Sequence, residues 1–453
     1  MSSSDVQQAD ANLWLAYAVK LKNALSQSPS LGSNARFYVA PISAAGIAAG
    51  SKIPTNIMNN GVYNVGDALL DLDDPVFLPT EHSYFQHCQS YCNSVELESD
   101  NPGAAVRYRD AQEKTKEALK YFTNTKKAAM SAYHSETSSG ITTDQFQSWV
   151  IQNYPQLSQA QNALASATAN CAAAAANMSG PNAAMVGRYM SSLSNADSLS
   201  NIPGYNMTCS SSVADQIASG SGGSFLRPAY NIESTYAPTV DDWVSSFAQN
   251  KGNPTEITFN ASDASDSSWD ELGYDDDVEV TGSYCTLFSA TFDEDGETVT
   301  KTVSAEEAGD DLEITVTATS LGTFQIQPGQ WNPAKLAGMP LVSDADQDLK
   351  DPKAKVTSAI LAYGVGMQVE LSSSAYDTIN NYLEQAQEAG GSASIFGFNI
   401  GLGDSDNLNQ TSTVTFDDVK NASSGTTITI PASNNSYPTL LAVVGESIPE
   451  PNN

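Results

Sequence analysis

The chain has 453 residues, of which 40% are hydrophobic, and carries 52 Asp and Glu against 20 Lys and Arg, a formal charge of -32. At roughly 150 residues per domain, that length predicts two or three units rather than one core. The acidity repels nucleic-acid phosphate and anionic membrane surfaces, so neither is an expected partner, although it also serves solubility alone.

The N-terminus lacks a basic region ahead of an apolar run, so no secretory signal peptide is expected. Ser4 to Gln7 fits a capping box, and Val6, Ala9, Leu13, Tyr17, Leu21 and Ala24 mark one face, predicting an amphipathic helix from Asp5 to Ser26. Five cysteines in a chain this long make no disulfide framework. Cytoplasmic residence, or release by a non-classical route, is the expectation. No run of about eighteen uncharged apolar residues occurs, so no transmembrane helix is predicted.

From Asn34 to Asp100 short apolar runs such as Phe37 to Val39 alternate with Gly and Pro, predicting loops and short helices, one of them over Tyr84 to Val95. Two long seams follow. Ala104, Tyr108, Ala111, Thr115, Ala118, Phe122, Thr125, Ala129 and Ala132 recur at three- and four-residue steps, as do Leu157, Ala160, Leu164, Ala167, Cys171, Ala174 and Met178. They predict an antiparallel helical hairpin, opened by Pro102 and joined through Ser135 to Pro155, where Thr142 to Gln145 form a cap before Phe146, Trp149 and Val150. Ser179, Gly180 and Pro181 close it. Helical signals weaken afterwards, and Ser219 to Ser224 has the composition of a linker.

After Lys251 the period changes to two, in Leu312, Ile314, Val316 and Ala318, in Val414 and Phe416, and in Ile428 and Ile430. Leu440 to Val444 reads as a strand buried on both faces. Tyr376 to Ala389 returns to helical spacing and ends at Gly390. The predicted fold class is α+β, with a helical N-terminal half and a C-terminal antiparallel β-sandwich holding one inserted helix. The expected units are residues 1–100, a helix with an irregular packing region, 101–180, the hairpin, 181–250, a linker-rich connection, and 251–453, the sandwich.

Two clusters have metal-ligand chemistry. His82, His87, Cys88 and Cys92 combine imidazole and thiol, suited to zinc or copper. Helical spacing puts Cys88 and Cys92 on one face but turns His87 about 100° away, and cysteines acting as small apolar residues explain the same pattern. Asp293, Asp295 and Glu297 are carboxylates of the kind that bind calcium. An EF-hand frame on Gly296 fails, because Thr291 and Thr302 fall where carboxylates are required, so a tight turn between Phe292 and Val299 is the simpler reading. No cofactor is expected otherwise. No nucleophile elbow, Walker loop, dinucleotide fingerprint or zincin helix is present, and Gly364 and Gly366 read as strand glycines marking a bulge or close packing.

With the hairpin, Trp331-Asn332-Pro333, and the ending Thr427 to Pro431 then Leu440 to Gly445, the chain resembles uncharacterised fungal proteins with a helical N-terminal half and a β-rich C-terminal half. The resemblance implies the two-part layout and no functional residues. The sequence thus predicts a soluble, non-catalytic binding or assembly protein, whose sandwich recognises a protein or glycan and whose hairpin scaffolds or self-associates into a homo-oligomer. A pore-forming protein with a convertible hairpin and an enzyme using carboxylates on the β scaffold are the alternatives.

Overall fold

Leu13 to Val19 are apolar on every side of the first helix, α1 (Ser3–Ala24), and all seven are buried. A helix of that kind belongs inside a core, so the expected one-faced helix is corrected to a central one. The computed structural model describes residues 3–25, 31, 34–40, 46–77, 83–138, 153–180, 182–197, 228–251, 254–274, 286–294, 297–309, 311–333, 336, 338–400, 414–432 and 438–449. The predicted cap at Thr142 to Gln145 and the linker at Ser219 to Ser224 lie outside them, as do the side chains of the capping box at Ser4 to Gln7.

Around α1 stand two antiparallel sheets. The larger is organised by β8 (Lys353–Glu370), whose middle, Ala359 to Met367, is buried throughout. One edge of β8 pairs first with β12 (Thr439–Ser447) and then with β11 (Thr427–Ile430). The other pairs with β2 (Leu69–Asp71) and then with β7 (Glu313–Pro328). Beyond these, β1 (Ala35–Val39) extends β12, while β4 (Thr255–Phe259) and β3 (Tyr230–Ile232) pair with β7. Phe37 to Val39 is therefore a buried strand and not part of a loop, and the N-terminal hundred residues complete the C-terminal sheet. The smaller sheet runs β10 (Phe398–Ile400), β9 (Ser392–Ile395), β5 (Phe288–Glu294), β6 (Glu297–Val303).

The helical half contains α2 (Thr55–Gly66), α3 (Tyr84–Ser94), α4 (Pro102–Ser138), α5 (Pro155–Ala176) and α6 (Ala183–Asp197). The hairpin forms as predicted from α4 and α5. Phe122 and Ala129 of α4 share a core with Leu157, Ala160 and Leu164 at the start of α5, while Thr115, nearer the start of α4, meets Cys171, so the two run antiparallel. The buried seams are rotated slightly from those expected. Gln112, Thr168 and Ala175 are buried, whereas Ala111, Ala167 and Ala174 are only half-buried, because α3 and α6 also pack on the pair. No described helix is long and apolar enough to cross a membrane.

The α+β class stands, with the helical half first and the β-rich half second. The helix predicted over Tyr376 to Ala389 is Ser373–Glu388, between β8 and β9. It is labelled α9, after α7 (Tyr236–Ala248) and the single turn α8 (Ala305–Ala308). Val414 and Phe416 do not form a strand. Thr415 and Asp418 make a capping box that opens α10 (Phe416–Ala422), so local hydrogen bonding overrides the two-residue alternation there.

Candidate functional site

Where β8 exchanges β2 for β7, the large sheet forks. The last β2 pair is Leu69 with Lys355 and the nearest β7 pair is Gln325 with Ser358. Among the described residues Val356 and Thr357 therefore have no strand neighbour on that edge. Ligand crevices form where strands part company, since backbone and side-chain polar groups are left without a ladder partner. Such a crevice is present, about 450 Å³ in volume, between Gln325 to Pro328 of β7 and Lys355 to Ser358 of β8.

A second cavity of about 290 Å³ opens beside it, against α3. Asn332, Lys355 and Glu446 line both. Lys355 and Glu446 are directly opposed across β8 and β12, with nitrogen and oxygen 3.6 Å apart. Asn332 accepts a 3.0 Å hydrogen bond from the Tyr84 hydroxyl. These residues come from three distant segments and make a common wall.

The wall is held firmly. Asp67, buried beside β2, accepts from the Ser83 hydroxyl at 2.6 Å, the Phe85 amide at 2.9 Å and the Tyr230 hydroxyl at 2.7 Å. Burial pushes its carboxyl above the usual range, against those hydrogen bonds. Ser83 caps α3 by accepting from the Gln86 amide, and at the far end Tyr91 donates to the Met339 carbonyl at 2.8 Å. Trp331, fully buried, donates to the Ala229 carbonyl and packs edge-on to Phe85 and Tyr230, which fixes Asn332 next to it. Supporting hydrogen bonds and packing of this kind keep a binding geometry defined.

His87 and Cys88, from the predicted thiol and imidazole cluster, line the cavity against α3, and Cys92 does not. Cys92 reaches instead toward the Val186 carbonyl of α6 at 3.7 Å. His82 lies outside the described residues. Burial, with Lys353 nearby, lowers His87 to about 4, and burial pushes the Cys88 thiol up to about 12. Burial raises Tyr84 as well. All three are neutral at neutral pH, so Cys88 is not an activated thiolate.

The second predicted cluster sits on the β5–β6 hairpin. Asp293 and Glu297 are exposed, Glu294 opposes Glu297 across a two-residue connection, and Glu294 pairs with Lys301 at 3.6 Å. Asp295 lies outside the described residues. The pairing of β5 with β6 up to Glu294 and Glu297 agrees with the hairpin reading of this stretch. Among the described residues no group of three or more His, Cys, Asp and Glu is arranged to hold a metal ion. Of His134 only the backbone, within α4, is described.

Comparison with protein-family models, with curated proteins and with solved structures gives no match. Lys355 and Glu446 had no signal in the sequence, being 91 positions apart and unremarkable locally. Asn332 and Tyr84 had only the Trp-Asn-Pro run and a helix start.

Proposed function

We propose that the chain is a non-catalytic binding protein that takes a small, neutral, polar ligand in the forked-sheet cleft. The observation carrying this reading is the shared wall of Asn332, Lys355 and Glu446, which supplies donors and acceptors to two cavities at once while its charges balance. Chemistry is the weaker reading, because burial pushes the Cys88 thiol up to about 12 and so withholds its thiolate. The hairpin acts as scaffold: Gln112 of α4 donates to the Val95 carbonyl at 2.9 Å and thereby backs the α3 wall.

The test is a fragment screen of neutral polar molecules by protein-observed NMR. Binding predicts shift changes at Lys355, Glu446 and Asn332, lost in Lys355→Met and Glu446→Gln at unchanged melting temperature. Shift changes confined to other surfaces, or turnover of a bound fragment, would overturn the reading.

A further inference from the structure

We infer that the ligand is a neutral oligosaccharide of at least two sugar rings, one in each cavity, with the linkage crossing the Lys355–Glu446 wall. The inference rests on the binding reading above and names its ligand class.

Charge comes first. A chain at -32 disfavours an anionic ligand, and the Lys355 ammonium is already matched by Glu446. The chain's field attracts cations, but the Lys355–Glu446 pair leaves the lining of the two cavities without net charge to fix one. The ligand is therefore neutral. Its hydrogen-bonding pattern follows from the lining: Gln325, Gln327 and Asn332 bring amides and Ser358 brings a hydroxyl, while the Thr357 hydroxyl donates to the Val444 carbonyl at 3.1 Å and is left to accept. The amides and the Ser358 hydroxyl both donate and accept. A hydroxyl-rich molecule matches that duality in full, whereas a ligand of carbonyls alone or amines alone matches half of it.

The two cavities differ in a way that fits sugars. The one against α3 adds Tyr84, Tyr91, Leu336 and Ile448 to its polar groups, giving apolar surface to the C–H face of a ring. The one at the fork is mainly polar and keeps Gln325 and Gln327 exposed. Because both share one wall, a ligand of repeated units reaches the second cavity without a second translational cost, which raises affinity beyond that of a single unit.

Isothermal titration calorimetry on the full chain, with glucose and N-acetylglucosamine, their β- and α-linked di- and trisaccharides, and a sulfated disaccharide, tests this. The expected result is a disaccharide binding about tenfold or more tighter than its monosaccharide. The sulfated analogue should bind about tenfold weaker than its neutral parent. The double variant Gln325→Ala, Gln327→Ala changes two exposed side chains of the fork, and should weaken the disaccharide by about tenfold more than the monosaccharide, removing the gain from the second ring. Equal affinity for one ring and two would overturn the two-cavity arrangement. Neutral fragments that perturb Lys355 and Glu446 when no saccharide binds would overturn the sugar and leave the binding reading intact. No binding by either set would overturn both.

Discussion

The Trp14 ring lies stacked on Phe396, 4.2 Å between centroids and 19° from parallel. Phe396 is fully buried although it sits in the turn between β9 and β10, with a left-handed backbone at φ 45°. A bulky residue in that region costs on the order of 1–3 kcal/mol, which its ring offsets by packing against Trp14, Tyr17 and Phe259. One side chain thus ties α1, the edge strand β4 and the small sheet together. Phe396→Ala and Trp14→Ala should each cost about 3–5 kcal/mol in urea unfolding. The double variant should cost less than their sum by about 0.5–3 kcal/mol, as expected for rings in contact.

Gly364 interrupts β8 with φ at +62°, and a Cβ there would meet Thr319 Oγ1 at 2.5 Å and the Phe247 ring at 2.7 Å. Both the backbone and the space require glycine. Gly364→Ala should lower stability by about 1–3 kcal/mol, read as a fall in the denaturation midpoint at unchanged slope.

Asp10 is buried in α1, where it accepts from the Ala305 amide at 2.8 Å, and burial raises its carboxyl from 3.8 to about 6. The backbone hydrogen bonds from Ala305 and Leu287 oppose the shift, and Glu307 adds to it. A carboxyl raised in the folded state contributes stability that is fully present below pH 3.8 and lost as pH rises through about 6. The rise from 3.8 to about 6 corresponds to roughly 3 kcal/mol of pH dependence. Unfolding curves of Asp10→Asn subtracted from the parent should show that slope, and a flat difference would refute it.

His87 behaves in the opposite sense. Its folded value of about 4 against 6.5 means that its contribution is present above 6.5 and lost as pH falls toward 4. In an NMR titration its ring resonances should stay near constant from neutral pH to about pH 5 and pass their midpoint at about 4. A midpoint near 6.5 would show that the His87 ring is solvated and not packed into the cavity wall.

Cys88, Cys92 and Cys171 are buried, and burial holds all three thiols well above their usual range. Alkylation of the folded protein should leave these three unmodified, with labelling on the timescale of global unfolding, as mass mapping of the peptides would show. Rapid labelling of Cys88 would mean that its thiol stands free in the cavity instead of being covered by its neighbours.

Local periodicity determined much of this protein. The three- and four-residue steps from Ala104 to Met178 dictate two packed helices, and the alternation from Ile314 to Ala318 dictates a strand, because burial of one face is written into the spacing of apolar residues. The continuous run Leu440 to Val444 likewise required a strand covered on both sides, and Thr291 and Thr302 were enough to reject an EF-hand. Periodicity states that a face is buried and leaves its partner open. Only the tertiary structure decided that Leu13 to Val19 are covered all round, that Ala35–Val39 and Leu69–Asp71 join a sheet whose other strands lie far along the chain, and that α3 and α6 rotate the buried seams onto Gln112 and Thr168. The cleft is the extreme case. Tyr84, Asn332, Lys355 and Glu446 meet because β8 changes partners at a fork, and that exchange depends on which strands compete for one edge, a property of the whole sheet that no segment carries alone.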